Sequence, residues 1–211
     1  MKFLPFRLTW VPLARLMLAA ALLIVALATV RAEDAPPTRI RGTITAVSSD
    51  TLTIKANGGA DLKVVLRDDT VVRAITLATV DEIQPGRYIG TAAVPQPDGT
   101  LKALEVHVFP PDMAGTGDGH RPWDLAPDST MTNGLVGELQ TSSGRQITVK
   151  YKDGEQKVVI PDSMPVVNIE PGDRSLLVPG AHVMIFADKN ADGSLTARAI
   201  SAGKDGVKPP M

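Results

Sequence analysis

The sequence predicts an all-β protein: two tandem small OB-like β-barrels of about 70 residues, each with one short helical turn, behind a signal peptide. Three observations carry this reading. Apolar residues alternate with a period of two over short runs, turn residues punctuate the runs, and the whole pattern occurs twice.

The N-terminal element is read first. Residues 1–15 carry Lys2, Arg7 and Arg15 and no acid, and residues 16–30 carry no charge at all. Val30-Arg31-Ala32 then puts β-branched and small residues at the −3 and −1 positions of the exit, so 1–32 reads as a secretory signal cleaved after about Ala32. The uncharged run of 15 residues is shorter than the roughly 20 of a permanent span. Membrane contact is therefore expected only through this segment, where it stays uncleaved. The expected location is the periplasm.

Charge and composition narrow the chemistry. The whole chain has 22 basic and 23 acidic residues; four bases and no acid lie in 1–32, so 33–211 holds 18 against 23, a net of −5. That part has five aromatic residues: Tyr88, Phe109, Trp123, Tyr151 and Phe186. OB-type barrels bind single strands with a basic groove and stacked aromatics, so nucleic acid is not an expected partner. With no cysteine, disulfides, thiolate zinc sites and a cysteine nucleophile are ruled out.

The first barrel repeat is placed at 38–109 and the second at 134–202. Gly42 is aligned with Gly137, and Leu52-Thr53-Ile54-Lys55 with Ile147-Thr148-Val149-Lys150, at an offset of 95. From Lys63-Val64-Val65 onward the offset is 94, which pairs Ile75 with Ile169 and Leu101 with Leu195. The repeat turns coincide as well: Pro85-Gly86 with Pro179-Gly180, and Asp98-Gly99 with Asp192-Gly193. Within the first repeat, Ile40, Gly42, Ile44 and Ala46 share one face of a strand, and Leu52 and Ile54 continue the alternation. Asn57-Gly58-Gly59 reads as a hairpin turn, and 62–66, 87–95 and 101–108 as further strands. Thr79-x-x-Glu82 fits a capping box on a helix of one or two turns, stopped by Pro85-Gly86.

Residues 110–133 (PPDMAGTGDGHRPWDLAPDSTMTN) separate the repeats and show no periodicity. Gly115, Gly117, Gly119 and Pro122 mark turns, and Trp123 is expected to pack on one or both barrels and set their orientation. The Gly/Lys/Pro-rich segment 203–211 reads as a disordered tail. The paired DG[ST]LxA turns and the GTGDGHRPWDL…STMTN segment resemble an exported proteobacterial family of unknown function with tandem small β-barrel repeats. The likeness covers about 38–202 and implies no catalytic residues.

The chemistry-bearing motifs are few. Asp188-x-Asn190-x-Asp192-Gly193 resembles the start of a calcium loop, but the twelfth position is Ala199 instead of a bidentate carboxylate, so it reads as a β-turn. Gly115-x-Gly117-x-Gly119 lacks the strand before and helix after it that a phosphate loop needs. His120 with Asp118 and Asp124 is the candidate divalent-metal set. His107 and His182 fall in strands and read as amphipathic positions. No GxSxG or HExxH occurs, so no catalytic residue and no cofactor is expected. These observations point to a non-catalytic binding or structural protein that engages an envelope protein or ligand on a barrel face or between the barrels. The alternatives are a metal-handling accessory using His120 and, behind it, an envelope hydrolase.

Overall fold

Short alternating runs fold as strands throughout. The computed structural model describes residues 36–140 and 145–211; the expected signal segment lies outside them. The first repeat forms β1 (Thr38–Val47), β2 (Thr51–Ala56), β3 (Asp61–Val65), β4 (Val71–Leu77), β5 (Tyr88–Pro95) and β6 (Leu101–Val108). The intervening segment supplies β7 (Gly119–Pro122). The second repeat forms β8 (Thr130–Gln140), β9 (Arg145–Tyr151), β10 (Gly154–Ile160), β11 (Val166–Pro171), β12 (His182–Lys189) and β13 (Leu195–Gly203). Where one or two helical turns were expected, a 3-10 turn of three residues stands at Val80–Glu82. Thr79 N–H donates to the Glu82 carboxylate at 3.1 Å as the box requires, but Pro85 stops the helix before it can extend.

Each barrel is built from both repeats. In the first, β1 pairs with β2, β2 with β3, β3 with β13, β13 with β12, and β12 with β1, which closes a ring of five strands. In the second, β8, β9, β10, β6 and β5 close in the same way. The expectation that 38–109 and 134–202 would each hold a self-contained barrel is therefore corrected. After β3 the chain runs on as β4, still parallel to β13, and then pairs antiparallel with β11. That pairing carries the chain across to the other barrel, where Ile83 is buried in the core; its counterpart Leu177 is buried in the first. Repeat symmetry specifies which surfaces match, not which copy supplies them.

A local pseudo-twofold relates the two halves. Ile75 faces Ile169 at the centre of the β4–β11 pair, and these are equivalent residues of the two repeats. The equivalence shifts in the first strand. Gly180 N–H donates to Ile44 O and Gly86 N–H to Val136 O, so Val136 takes the place of Ile44. Gly134, not Gly137, then answers to Gly42. A Cβ on Gly42 would run into the Lys55 carbonyl, and one on Gly134 into the Lys150 carbonyl, so both sites accept only glycine.

Three apolar clusters follow from this plan. Two fill the barrels, around Ile44, Ile54 and Ile185 and around Ile89, Ile147 and Val149. The third lies in the seam between them, with Ile75, Tyr88, Phe109, Met131, Ile169 and Met184. Segment 203–211 joins that seam, contrary to the disorder expected of it. Lys204 N–H donates to Ile75 O at 3.0 Å, Arg41 Nε donates to the Met211 main-chain oxygen at 2.8 Å, and Met211 is buried. Its apolar side chain finds a place in the seam that composition alone does not reveal.

Separating 36–109 from 110–211 should leave two pieces of which neither is a folded monomer, because each lacks two strands of its barrel. Mixed, they should form a one-to-one complex with native β-signal, read by circular dichroism and light scattering. Two independently folded monomers would contradict the exchanged pairing.

Candidate functional site

The seam holds a cavity of about 140 Å³. Its floor is set by β6, whose run Glu105, Val106, His107 and Val108 is buried on both faces. Glu105 is fully buried: Oε1 accepts from Ala92 N–H at 2.9 Å, and Oε2 lies 3.1 Å from His107 Nδ1. With Nδ1–H donating to the carboxylate, Nε2 is the free ring nitrogen. It sits over Gly90, where a Cβ would collide with both His107 Nε2 and Asn133 Oδ1, so glycine there makes room for the pair. His107 also meets the edge of Phe109, with ring centroids 5.0 Å apart.

The segment between the repeats forms the cover. Its glycines Gly115, Gly117 and Gly119 all take positive φ (88°, 59° and 127°), which coils the chain into successive turns. The Thr116 carbonyl accepts from Asn133 Nδ2 at 3.0 Å and from Tyr88 Oη at 3.2 Å. Pro122 ends β7, which pairs with β8, so this region is a docked strap. Trp123 is held by Ser129: Trp123 N–H donates to Ser129 O at 2.8 Å, and Ser129 Oγ donates to Trp123 O at 3.1 Å. The indole packs on Phe186 of β12 at 6.4 Å, and the Arg39 guanidinium lies 4.0 Å over its ring. Trp123 thus sits on the seam between barrels.

Two polar atoms at this seam have no partner among the described residues. Trp123 Nε1, a donor, and Asn133 Oδ1, an acceptor, are both buried without a hydrogen bond, and both residues line the cavity. Buried polar atoms are ordinarily paired, so the two are exceptions in this fold. Arg73 and Arg121 also line the cavity, and burial lowers the pKa of each guanidinium, with the charge of Arg39 adding to the effect on Arg121.

The metal set proposed from sequence is not brought together. His120 Nδ1 lies 2.8 Å from Thr132 Oγ1 and its ring stacks on Tyr151; burial and then the Arg121 charge lower its pKa. Asp118 accepts from Tyr88 Oη and from Lys152 N–H. Asp124 pairs with Arg39 and Arg41 at 3.1 and 2.7 Å. Burial raises the Asp124 carboxyl, but the hydrogen bonds and charges of Arg41 and Arg39 outweigh it and hold it below the usual range. Among the described residues no cluster of three histidines or acids could hold a metal ion. The repeat turns behave as turns: Gly86, Gly99, Gly180 and Gly193 have φ of 82°, 83°, 91° and 83°. Asp98 and Asp192 cap them identically, each taking the backbone N–H and hydroxyl of the residue two ahead, Thr100 or Ser194. Asp188 pairs with Arg198, so the apparent calcium loop is a hairpin.

Sequence reasoning missed Glu105, Asn133 and the cavity role of His107. A comparison of the repeats carries the signal: Glu105 and His107 answer to Ala199 and Ser201 at the same bulge register. The fold at that strand therefore does not require an acid or an imidazole.

Exchanged-strand barrels, a docked strap and a cavity on the pseudo-twofold define a two-repeat β-protein with one asymmetric seam. Residues 41–107 and 134–201 match the family described as Domain of unknown function (DUF5666), and the chain belongs to that family. No curated protein and no solved structure matches it.

Removing Glu105 alone should destabilise by about 3 kcal/mol, since it strips His107 and the Ala92 N–H of their partner. The double change Glu105→Ala/His107→Ser, which imports the residues of the second repeat, should lose less than Glu105→Ala alone in urea unfolding. Tyr88 offers a pH test. Burial, then the charge and hydrogen bond of Asp118, push its phenol up to about 12 against a smaller opposing effect of Arg121. A raised folded value gives stability that is present below the unfolded value and lost as pH rises. Wild-type stability should thus fall between about pH 10 and 12, and Tyr88→Phe should flatten that limb.

Proposed function

We propose that this chain is an exported, periplasmic, non-catalytic binding protein whose ligand occupies the cavity between the barrels under the Trp123 strap. The observation that carries this reading is the pair of orphan atoms, Trp123 Nε1 and Asn133 Oδ1, one donor and one acceptor at the same cavity. Each unmade bond costs about 1–3 kcal/mol, and a ligand that completes both recovers it. The envelope location rests on the basic, apolar and small-residue pattern of 1–32.

A histidine oriented by a buried carboxylate is also how a general base is held. No hydroxyl nucleophile is hydrogen-bonded to His107 among the described residues, which favours binding over hydrolysis. The metal-handling alternative draws no support from His120, Asp118 and Asp124, which are each engaged elsewhere.

NMR of the indole N–H of Trp123, assigned with Trp123→Phe, tests the reading against a fragment set of neutral, cationic and anionic small molecules. Saturable movement of that resonance by at least one chemical class, with a raised melting temperature, is the expected result. Silence from every class removes the cavity as a binding site.

A further inference from the structure

We infer that the ligand of this cavity is a small organic carboxylate with an apolar body about the size of one aromatic ring. The inference rests on the cavity reading above and adds the ligand class.

Size comes first. A cavity near 150 Å³ lined by apolar side chains takes a benzene-sized guest, and this one is about 140 Å³. Its walls include Phe109, Met113, Met131, Ile169, Phe186 and Met211, which offer an apolar body contact on several sides. The methionines and aromatics adapt to shape, so they set size more than identity.

Charge decides the polar end. Arg73 and Arg121 line the cavity and no acidic residue does. The acids nearby are already committed: Glu105 is turned to His107 and Ala92, Asp118 to Tyr88 and Lys152, Asp124 to Arg39 and Arg41. Arg73 is half-buried, and its side chain has no hydrogen bond or ion pair among the described residues. Arg121 uses Nη1 on the Gly117 carbonyl at 2.7 Å, which anchors its planar head to the strap. A guanidinium taken from water without a counter-charge is unfavourable, and a bidentate carboxylate is the partner its fork matches. The orphan Trp123 Nε1 is a further donor at the same cavity. A cationic ligand would meet two like charges, and a neutral one would leave Arg73 uncompensated.

The second repeat supports a role specific to this seam. The position equivalent to Arg73 is Val167, an apolar residue buried in the same cluster. The backbone there accepts valine, so the β4–β11 pair does not need an arginine for its own sake.

Three probes of nearly one shape separate the outcomes: benzoate, benzamide and benzylamine, followed at the Trp123 indole by NMR and by calorimetry. Benzoate should bind at least about tenfold more tightly than benzamide, with benzylamine weakest. Arg73→Gln should remove that preference by weakening benzoate far more than benzamide, and Arg73→Lys should keep part of it, which separates loss of charge from loss of fold. Benzamide or benzylamine binding as well as benzoate, or no effect of Arg73→Gln, overturns the carboxylate assignment while leaving the cavity a binding site. Failure of all three probes overturns the carboxylate assignment too; the cavity reading itself falls only if the wider fragment set is also silent.

Discussion

The antiparallel pairing of β4 with β11 is the constraint on which the rest of the structure depends. It sets Ile75 opposite Ile169, equivalent residues of the two repeats, and so places the pseudo-twofold between them. Because β4 is also parallel to β13, and β11 to β6, this one pair locks each half of the chain to the barrel begun by the other. Neither barrel can close without strands that arrive through it. Long-range contacts of this kind carry a large loop-closure entropy, which the three apolar clusters together must offset. The seam exists because the exchange brings the two barrels edge to edge.

At the seam the symmetry breaks, and it breaks in favour of polar residues. Glu105, His107 and Arg73 stand where the other half has Ala199, Ser201 and Val167. Burying a carboxylate with an imidazole is at best neutral against apolar packing, so the pair is not explained by stability. The strap does not relieve the situation. It supplies Trp123 with an unpartnered N–H and leaves Asn133 Oδ1 without a donor, though it meets Asn133 Nδ2 through the Thr116 carbonyl. A region whose neighbours satisfy each other so thoroughly elsewhere retains two open valences here.

How much of this is legible in the sequence follows from what one strand can show. The turns are read directly, since Asp98-Gly99 and Asp192-Gly193 carry their own capping chemistry, and so are the strands with one wet face. The exchange is not, because repeats of one pattern offer equivalent edges to either partner. β4 and β11 are hidden for another reason: Val71–Leu77 and Val166–Pro171 are covered on both faces over much of their length and do not alternate cleanly. The same holds for β6. In LKALEVHV strict alternation puts Leu101, Ala103, Glu105 and His107 on one face, but the β-bulge opposite Ala92 and Ala93 gives Val106 and Val108 to the barrel core and turns Glu105 and His107 to the other face, under the strap. His120 has acids near it in sequence, whereas His107 is the histidine that lines the cavity.

Charge gives the last step. Residues 33–211 carry a net −5, yet the cavity is lined by arginines and by no acid. Over distances beyond about 8 Å at physiological salt the surface charge is screened, so it neither steers an anion strongly nor repels it. Inside the seam the dielectric is lower and Arg73 is poorly hydrated, so the same unit of charge acts with greater force. On the proposed reading, selectivity is therefore exercised within the cavity and not during approach. Arg121 and Trp123 both ride on the strap. Its two ends are tied to different barrels, through Asp124 to Arg39 and Arg41 on β1 and through Asp118 to Tyr88 on β5. A ligand that draws Arg121 and Trp123 inward would pull on both barrels at once, which couples occupancy of the cavity to the stability of the whole exchanged fold.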